Sequence, residues 1–272
     1  MLRKLGYAAV VIAALVAPFN LYPVLLMKIM CFALFACAFN LLIGFTGLLS
    51  FGHAAFFGGS AYIAGHALKI WGVPTEIGLV LGVVYAAAMG YVIGKLAIRR
   101  QGIYFTMITM ALSNMVFFVF LQAPFTGGED GLQSIPRGTL LGMIDLKNDL
   151  TMYYVVFAIV AASFLLVVRI IHSPFGQVLK AVRENEPRAI SLGYDTDRYK
   201  LVAFVLSSTL AGTAGATKSL VFQLASLSDV HWSMSGEVML MTLLGGLGTI
   251  FGPVVGAAII ITMQNYLAQL GS

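Results

Sequence analysis

The residues best suited to chemistry lie in one polar segment, Ser173 to Lys200, which reads SPFGQVLKAVRENEPRAISLGYDTDRYK. Its central charged and amide side chains are Lys180, Arg183, Glu184, Asn185, Glu186 and Arg188. Mixed acids and bases on a helical surface suit ionic contact with a complementary protein surface. Because apolar sequence flanks the segment on both sides, we predict a docking surface for a partner outside the membrane.

Two short amphipathic helices are expected in this segment. Ser173 is a suitable N-cap, and Pro174 fits the first helical position, where its missing N–H costs nothing. An apolar stripe follows at i, i+3, i+4 and i+7, formed by Phe175, Val178, Leu179 and Val182. We expect Pro187 to stop the first helix and Gly193 to end the second. Helices resting on lipid headgroups are the open alternative, although a surface that binds anionic lipid should be basic throughout.

A second group of polar residues interrupts strongly apolar sequence. The stretch 44–59, GFTGLLSFGHAAFFGG, contains five glycines, and 245–256, GGLGTIFGPVVG, weakly echoes it. Broken helices at membrane depth offer free N–H and C=O groups that line solute paths. The candidate path residues are Asn40, Ser50, His53, Glu237 and Gly248.

Each path residue also has a structural interpretation. The glycines equally suit close helix packing. For His53 and Asn40 we favour structural hydrogen bonds, with His53 satisfied by a neighbouring carbonyl. Glu237 is the acid expected in or near the membrane, where ionisable groups mark function. It equally suits the start of a short helix, whose dipole it would complement.

The sequence does not support a nucleotide-binding, metal-binding or catalytic site. Gly212–Ser219 resembles the phosphate-binding loop G-x-x-x-x-G-K-[ST], but Thr217 replaces the second glycine and no strand precedes it. We expect Lys218 to reach from a span end to the membrane interface. The four histidines are too far apart in sequence for a metal site, and no Ser/His/Asp arrangement can be argued. Cys31 and Cys37 are expected to be small buried hydrophobes.

The elements that position these residues follow from composition. The chain has 272 residues, 60% hydrophobic and 10% charged, with a mean hydropathy of +0.93, whereas a soluble domain carries about 25% charged residues. Apolar runs of about 20 residues recur, each long enough to cross a bilayer. We therefore predict an all-α polytopic membrane protein with about eight spans and one short or re-entrant helix. The expected spans are 6–26, retained as a first span, then 28–46, 52–70, 76–97, 102–122, 151–171, 201–222 and 250–270, with the short helix at 234–247.

Charge distribution predicts the orientation. With the N-terminus in the cytoplasm, eleven of the sixteen lysines and arginines lie inside, as the positive-inside rule requires. Segment 123–150 then lies outside and segment 173–200 inside, within a single transmembrane domain over 1–272. The net charge of +5 does not indicate nucleic acid, because the basic residues are scattered at span ends.

Several stretches in order resemble the LivM-type permeases of bacterial ABC importers for branched-chain amino acids, in the branched-chain amino acid/ribose permease superfamily. They are 39–62 (FNLLIGFTGLLSFGHAAFFGGSAY), 100–109 (RQGIYFTMIT), 126–136 (TGGEDGLQSIP), 173–215, and 237–257 (EVMLMTLLGGLGTIFGPVVGA). The resemblance covers nearly the whole chain.

The resemblance implies a heteromeric importer of the bacterial inner membrane. A second related permease, two ABC ATPases and a periplasmic solute-binding protein would be the partners. Segment 173–200 would be the coupling element, with ATPase contacts around Arg183 to Pro187, and segment 123–150 would receive the binding protein. The chain itself would be no enzyme and hold no cofactor, since ATP and magnesium would bind the ATPases.

Three alternatives stay open. Importers of this superfamily also carry urea, amides, aromatic acids or sugars, so the substrate is not fixed. An ion-coupled transporter acting alone is disfavoured, because Glu237 is its sole acidic candidate within the spans. A membrane-embedded enzyme lacks a paired acid and base.

Overall fold

The computed structural model describes residues 17–19, 22–140, 142 and 144–270. Within these ranges the chain is almost entirely helical, as predicted. The helices are α1 Pro23–Thr46, α2 His53–Lys69, α3 Thr75–Ala97, α4 Ile103–Gln122, α5 Asp149–His172, α6 Pro174–Glu184, α7 Glu186–Ser191, α8 Thr196–Phe222, α9 Trp232–Gly245 and α10 Gly252–Leu270.

Five of the described helices are long and apolar enough to cross a membrane, namely α1, α3, α4, α5 and α10. Helices α2 and α8 also match predicted spans, although they fall outside that set. The predicted total of about eight spans stays a prediction. The predicted short helix at 234–247 is confirmed as α9, whose 14 residues extend only about 21 Å.

The boundary between the first two predicted spans is wrong. Most of the predicted span 6–26 lies outside the described residues, but 17–19 form a 3-10 turn and α1 begins at Pro23. Sequence patterning misses this start because the apolar composition continues across it, whereas proline at the first helical position marks it. Lys28, predicted to be the first residue of the second span, therefore lies in the second turn of α1.

Helices α1, α2 and α8 form the centre of the molecule. Nearly all of α2 is buried, and α8 packs against α2, α3 and α1. Close approach depends on small residues: Ser60 on α2 donates a hydrogen bond of 2.8 Å to the Gly212 carbonyl on α8. Helix α8 begins five residues before the predicted span, since the Asp195 side chain caps it by accepting from the Arg198 N–H.

The two glycine-rich stretches each contain the end of one helix and the start of the next. Helix α1 ends at Gly47 (φ 76°), and α9 ends before Gly246 (φ 98°). Left-handed backbone at such C-terminal positions favours glycine. In each stretch a Phe-Gly pair, Phe51–Gly52 or Phe251–Gly252, leads into the next helix, α2 or α10. The helix breaks that the sequence indicates are therefore present.

Segment 123–150 packs on the end of α8. Strand β1 (Leu132–Gln133) pairs antiparallel with β4 (Leu224–Ala225), while β2 (Thr139–Leu140) pairs with β3 (Ile144–Asp145). Arg137 donates to the carbonyls of Leu220 and Val221 at 3.2 and 2.5 Å, and pairs with Asp149 at 2.6 Å. The guanidinium thus satisfies free carbonyls at the C-terminus of α8, where positive charge is favoured.

Candidate functional site

The first helix of the polar segment, α6, lies against the rest of the chain through its apolar stripe. Ser173 caps it by accepting from the Gly176 N–H at 3.3 Å. Leu179 and Val182 are buried, while Phe175 and Val178 are partly buried. The predicted cap, first-turn proline and apolar stripe are therefore confirmed.

The break between α6 and α7 lies at Asn185. Its side-chain oxygen accepts from the Arg188 N–H at 3.1 Å, which caps α7. Pro187, predicted to stop the first helix, lies in the first turn of α7, so that prediction is wrong. A proline there loses no helical hydrogen bond. Gly193, with a φ of 88°, follows the end of α7 as expected.

Two of the predicted coupling residues turn toward the membrane helices. Arg183 donates from Nη1 to the Gly44 carbonyl near the end of α1. Lys180 lies over the Phe45 ring, 5.8 Å from its centroid. A cavity of about 370 Å³ opens here, lined by Gly44, Phe45, Lys180, Arg183, Glu184 and Gly248. The cations of α6 complement the free carbonyls at the end of α1.

Glu186 is engaged within the chain. It forms an ion pair with Lys200, whose side chain is 3% exposed, and accepts from the Thr196 hydroxyl at 3.2 Å. These contacts hold α7 against the start of α8. Glu184, Asn185 and Arg188 are exposed, and neither Glu184 nor Arg188 forms an ion pair with another described residue.

Glu186→Gln is expected to lower the free energy of unfolding by about 1–3 kcal/mol, because the nearly buried Lys200 ammonium loses its counter-charge. Thermal unfolding of the purified chain in detergent measures the change. Glu184→Gln is the matched control, and an exposed site should shift stability by less than about 0.5 kcal/mol. Equal stability of the two variants would contradict a structural role for Glu186.

Asn40 and Gly248 meet where α1 contacts the loop between α9 and α10. The Asn40 amide donates to the Thr249 carbonyl at 2.8 Å, and its oxygen accepts from the Gly248 N–H at 3.0 Å. The structural hydrogen bonding predicted for Asn40 is therefore confirmed. A side chain at Gly44 would lie 2.7 Å from the Gly248 nitrogen, so both glycines allow this close approach.

Ser50 and His53 are fully buried. The Ser50 hydroxyl accepts from the Gly52 N–H at 3.1 Å. His53 Nε2 lies 2.8 Å from the hydroxyl of Ser207, which itself donates to the Ala38 carbonyl. The Ser207 hydroxyl thus links the His53 ring to the backbone of α1.

The His53 ring also packs edge-on against the rings of Phe39, Phe56 and Phe204. These contacts agree with the structural interpretation, and a serine hydroxyl is one hydrogen-bond partner of the ring. The assignment of Ser50 and His53 to a solute path stays a prediction.

Glu237 is partly exposed on α9. The start of this helix is fixed to the start of α2 through Ser235, whose hydroxyl accepts from the Ala54 N–H and donates to the Phe51 carbonyl, each at 2.9 Å. Glu237 lies two residues after this buried contact, with Val238 buried beside it.

Sequence patterning missed the buried partner of Lys218. Lys218 does not reach for the interface: its Nζ lies 2.5 Å from a carboxylate oxygen of Asp229, and the two side chains are 14% and 3% exposed. The rings of Phe32, Phe57 and Phe222 surround the ammonium at 5.5–6.0 Å. The sequence contained one signal for this pair, because Asp229 follows eleven residues after Lys218, a lysine within an apolar helix.

Several known proteins are similar in sequence to this chain. The family described as "Branched-chain amino acid transport system / permease component" matches residues 21–272. The high-affinity branched-chain amino acid transport system permease protein LivM of Escherichia coli K12 is 26% identical over 261 residues, covering 88% of this chain and 61% of LivM. A probable LivM of Methanocaldococcus jannaschii is 27% identical over 186 residues, covering 65% of this chain and 53% of that protein.

The permease protein LivH of Salmonella typhimurium is 24% identical over 246 residues, covering 84% of this chain and 79% of LivH. The chain thus spans about 61% of the length of the Escherichia coli LivM protein that it matches. No solved structure matches it.

Proposed function

Since the chain belongs to the branched-chain amino acid transport system permease family, we propose that it forms half of the translocation path of an ATP-driven importer. Its multi-pass architecture would lie in the bacterial inner membrane. The other half would come from a second related permease. Relatives of this chain carry two different names, LivM and LivH, which supports a pair of related permeases. Two ABC ATPases would bind the cytoplasmic side, and a periplasmic solute-binding protein would dock on segment 123–150. The family is one of transporter permeases rather than enzymes.

The observation that carries the proposal is the amphipathic helix pair α6 and α7. One face of the pair is buried against the membrane helices, and the other carries the exposed Glu184 and Arg188. An exposed surface with both signs of charge suits a complementary protein groove. The ATPases would bind ATP and magnesium, and this chain would receive their motion through the helix pair.

The contacts of α6 suggest how motion reaches the path. Arg183 joins α6 to Gly44, and Asn40, one turn earlier on α1, joins α1 to the loop at Gly248. A shift of α6 would therefore move the ends of α1 and α9 together. ATP binding to the partners would favour one of two conformations by contacting it more strongly.

Branched-chain or other hydrophobic amino acids are the proposed substrates. The names of the LivM and LivH relatives support this class, and so does the scarcity of charge within the helices. Urea, an amide or an aromatic acid is the alternative, and accumulation of radiolabelled leucine by the reconstituted importer decides between them.

Reversing the charge of the docking surface is expected to stop transport. Glu184→Lys should reduce ATP-driven leucine uptake at least about tenfold, because like charges across an interface cost several kcal/mol. Uptake into proteoliposomes that contain both permeases and both ATPases, with binding protein supplied, measures the effect. Co-purification of the ATPases reports whether docking is lost.

Lys95→Glu is the matched control, since Lys95 is exposed outside the polar segment and its reversal should leave uptake unchanged. Normal uptake with Glu184→Lys would reject the assigned docking surface. Uptake by the purified chain alone, driven by an ion gradient without ATP, would instead establish a secondary transporter.

A further inference from the structure

The cavity between α6 and the membrane helices is not explained by the proposed contact with an ATPase. It has a volume of about 370 Å³, and its lining includes Lys180, Arg183 and Glu184 of α6. Two cations and one carboxylate give these side chains a net charge of +1. Residues of α1 and of the loop after α9 form the rest of the lining. The cavity thus joins three elements around an excess of positive charge.

Both cations are placed to bind a ligand in this cavity. One N–H of Arg183 donates to the Gly44 carbonyl, which fixes the guanidinium beside the cavity. A Cβ added at Gly47 or Gly248 would lie 3.3 Å from an atom of the Arg183 side chain, so the two glycines leave room for it. The Lys180 ammonium forms no hydrogen bond or ion pair with a described residue. Its N–H groups are therefore available to an acceptor from outside the chain.

The cavity lies at the level of the lipid headgroups. Helices α1 and α5 are both long enough to cross a membrane, and they pack against each other. Helix α6 begins two residues after the end of α5, and its Arg183 contacts the end of α1. Both spanning helices therefore end at the membrane surface on which α6 lies, and an amphipathic helix in that position borders the headgroups.

An exposed apolar surface adjoins the cavity. Leu243 and Leu244, in the last turn of α9, are 44% and 57% exposed. Leu247, next in sequence to the cavity residue Gly248, is 38% exposed. A soluble anion or an acidic side chain gains nothing from such a surface, whereas an amphiphile covers it with its acyl chains. A cationic cavity with an apolar flank at headgroup level therefore fits a phospholipid.

We propose that this cavity binds the phosphodiester of an anionic phospholipid, such as phosphatidylglycerol. Lys180 and Arg183 donate to the non-bridging phosphate oxygens, and the acyl chains lie along Leu244 and Leu247. The single negative charge of the phosphodiester balances the net charge of +1, whereas a zwitterionic headgroup leaves it unbalanced. The inference goes beyond the proposed function and does not depend on which solute the importer carries.

The melting temperature of the purified chain in neutral detergent tests the site. Titration with dioctanoyl phosphatidylglycerol should raise it to a plateau, because a ligand of the folded state stabilises that state. Lys180→Gln should raise the dissociation constant from this titration about tenfold or more, since a charge-assisted hydrogen bond to the phosphate is lost. Lys180→Arg, which keeps the charge, should stay within about threefold of wild type. Without lipid, Lys180→Gln should melt at the wild-type temperature, because no internal hydrogen bond is broken.

Lys95→Gln is the matched control, since Lys95 is exposed and lies outside the cavity, and its dissociation constant should equal that of wild type. A wild-type dissociation constant in Lys180→Gln would overturn the site. An equal rise in melting temperature with dioctanoyl phosphatidylethanolamine would overturn the choice of an anionic lipid, and an equal rise with inorganic phosphate would overturn a lipid of any kind. If Lys180→Gln bound the lipid normally but lost the ATPases on purification of the complete importer, the cavity would be a protein contact and the proposal would fail.

Discussion

Lys218→Met is expected to lower the free energy of unfolding by about 3–5 kcal/mol, because it leaves the Asp229 carboxylate buried without a counter-charge. The Asp229 side chain is only 3% exposed, so water cannot replace the ammonium. A loss of this size corresponds to a fall in melting temperature on the order of 10 °C. The chain has its own reporter of unfolding: Cys31 and Cys37 are both buried and free, so a thiol-reactive dye labels them when the helices separate.

The double variant Lys218→Met/Asp229→Leu separates the missing partner from the missing packing. Replacing both members of a buried ion pair by apolar residues is often neutral or stabilising, so the double variant should recover most of the loss. Lys95→Met, which removes an exposed lysine, should leave the melting temperature unchanged. Equal destabilisation in the single and double variants would show that packing of the lysine chain among the phenylalanines matters more than its charge.

The sequence predicts the parts of this molecule that depend on local pattern. Runs of apolar residues locate α2 to α5 and α10 within a few residues, and the stripe of α6 identifies its buried face before any contact is known. The glycines of 44–59 and 245–256 mark the helix breaks, since left-handed backbone at Gly47 and Gly246 favours that residue. Each of these features is determined within about one helical turn of sequence.

Side-chain contacts that form only when the chain folds back on itself cannot be predicted from local sequence. Asp229 meets Lys218 only because the turn after β4 packs on α2, where a side chain at Gly58 would lie 2.5 Å from the Val230 nitrogen. Glu186 similarly meets Lys200 only once α7 folds back on α8. Glu186 and Asp229 are thus paired within the chain and not free to contact a partner protein.

The charged residues divide into two functional groups by their surroundings. Glu186 and Asp229 are paired, so their substitution should act through stability. Glu184 and Glu237 have no ion pair among the described residues, so their substitution should act through transport with the fold intact. Comparing uptake with melting temperature for single amide variants of these four acids therefore tests the assignment of each acid independently of any partner structure.

Gly215→Val is expected to destabilise the chain by about 3 kcal/mol or more, since overpacking of a tight core forces the backbone to move. Gly215 lies on α8 against α2. A Cβ at this position would lie 2.7 Å from the Phe57 carbonyl carbon, closer still to its oxygen, and 2.6 Å from the Ser60 hydroxyl. Because backbone atoms of a buried helix cannot turn aside, α2 and α8 must separate, and the hydrogen bond from Ser60 to Gly212 is lost with them.

Gly236→Val is the matched control, because Gly236 also lies within a helix, and a Cβ built there meets no atom within 4 Å outside its own stretch of helix. Its effect should be within about 0.5 kcal/mol, since valine and glycine differ little in helix propensity compared with the cost of a clash. The same dye-labelling melt compares the two variants in detergent. A similar loss at both positions would mean that the substitution acts through the helix itself, and the close contact between α2 and α8 would then not be what holds the centre of the molecule together.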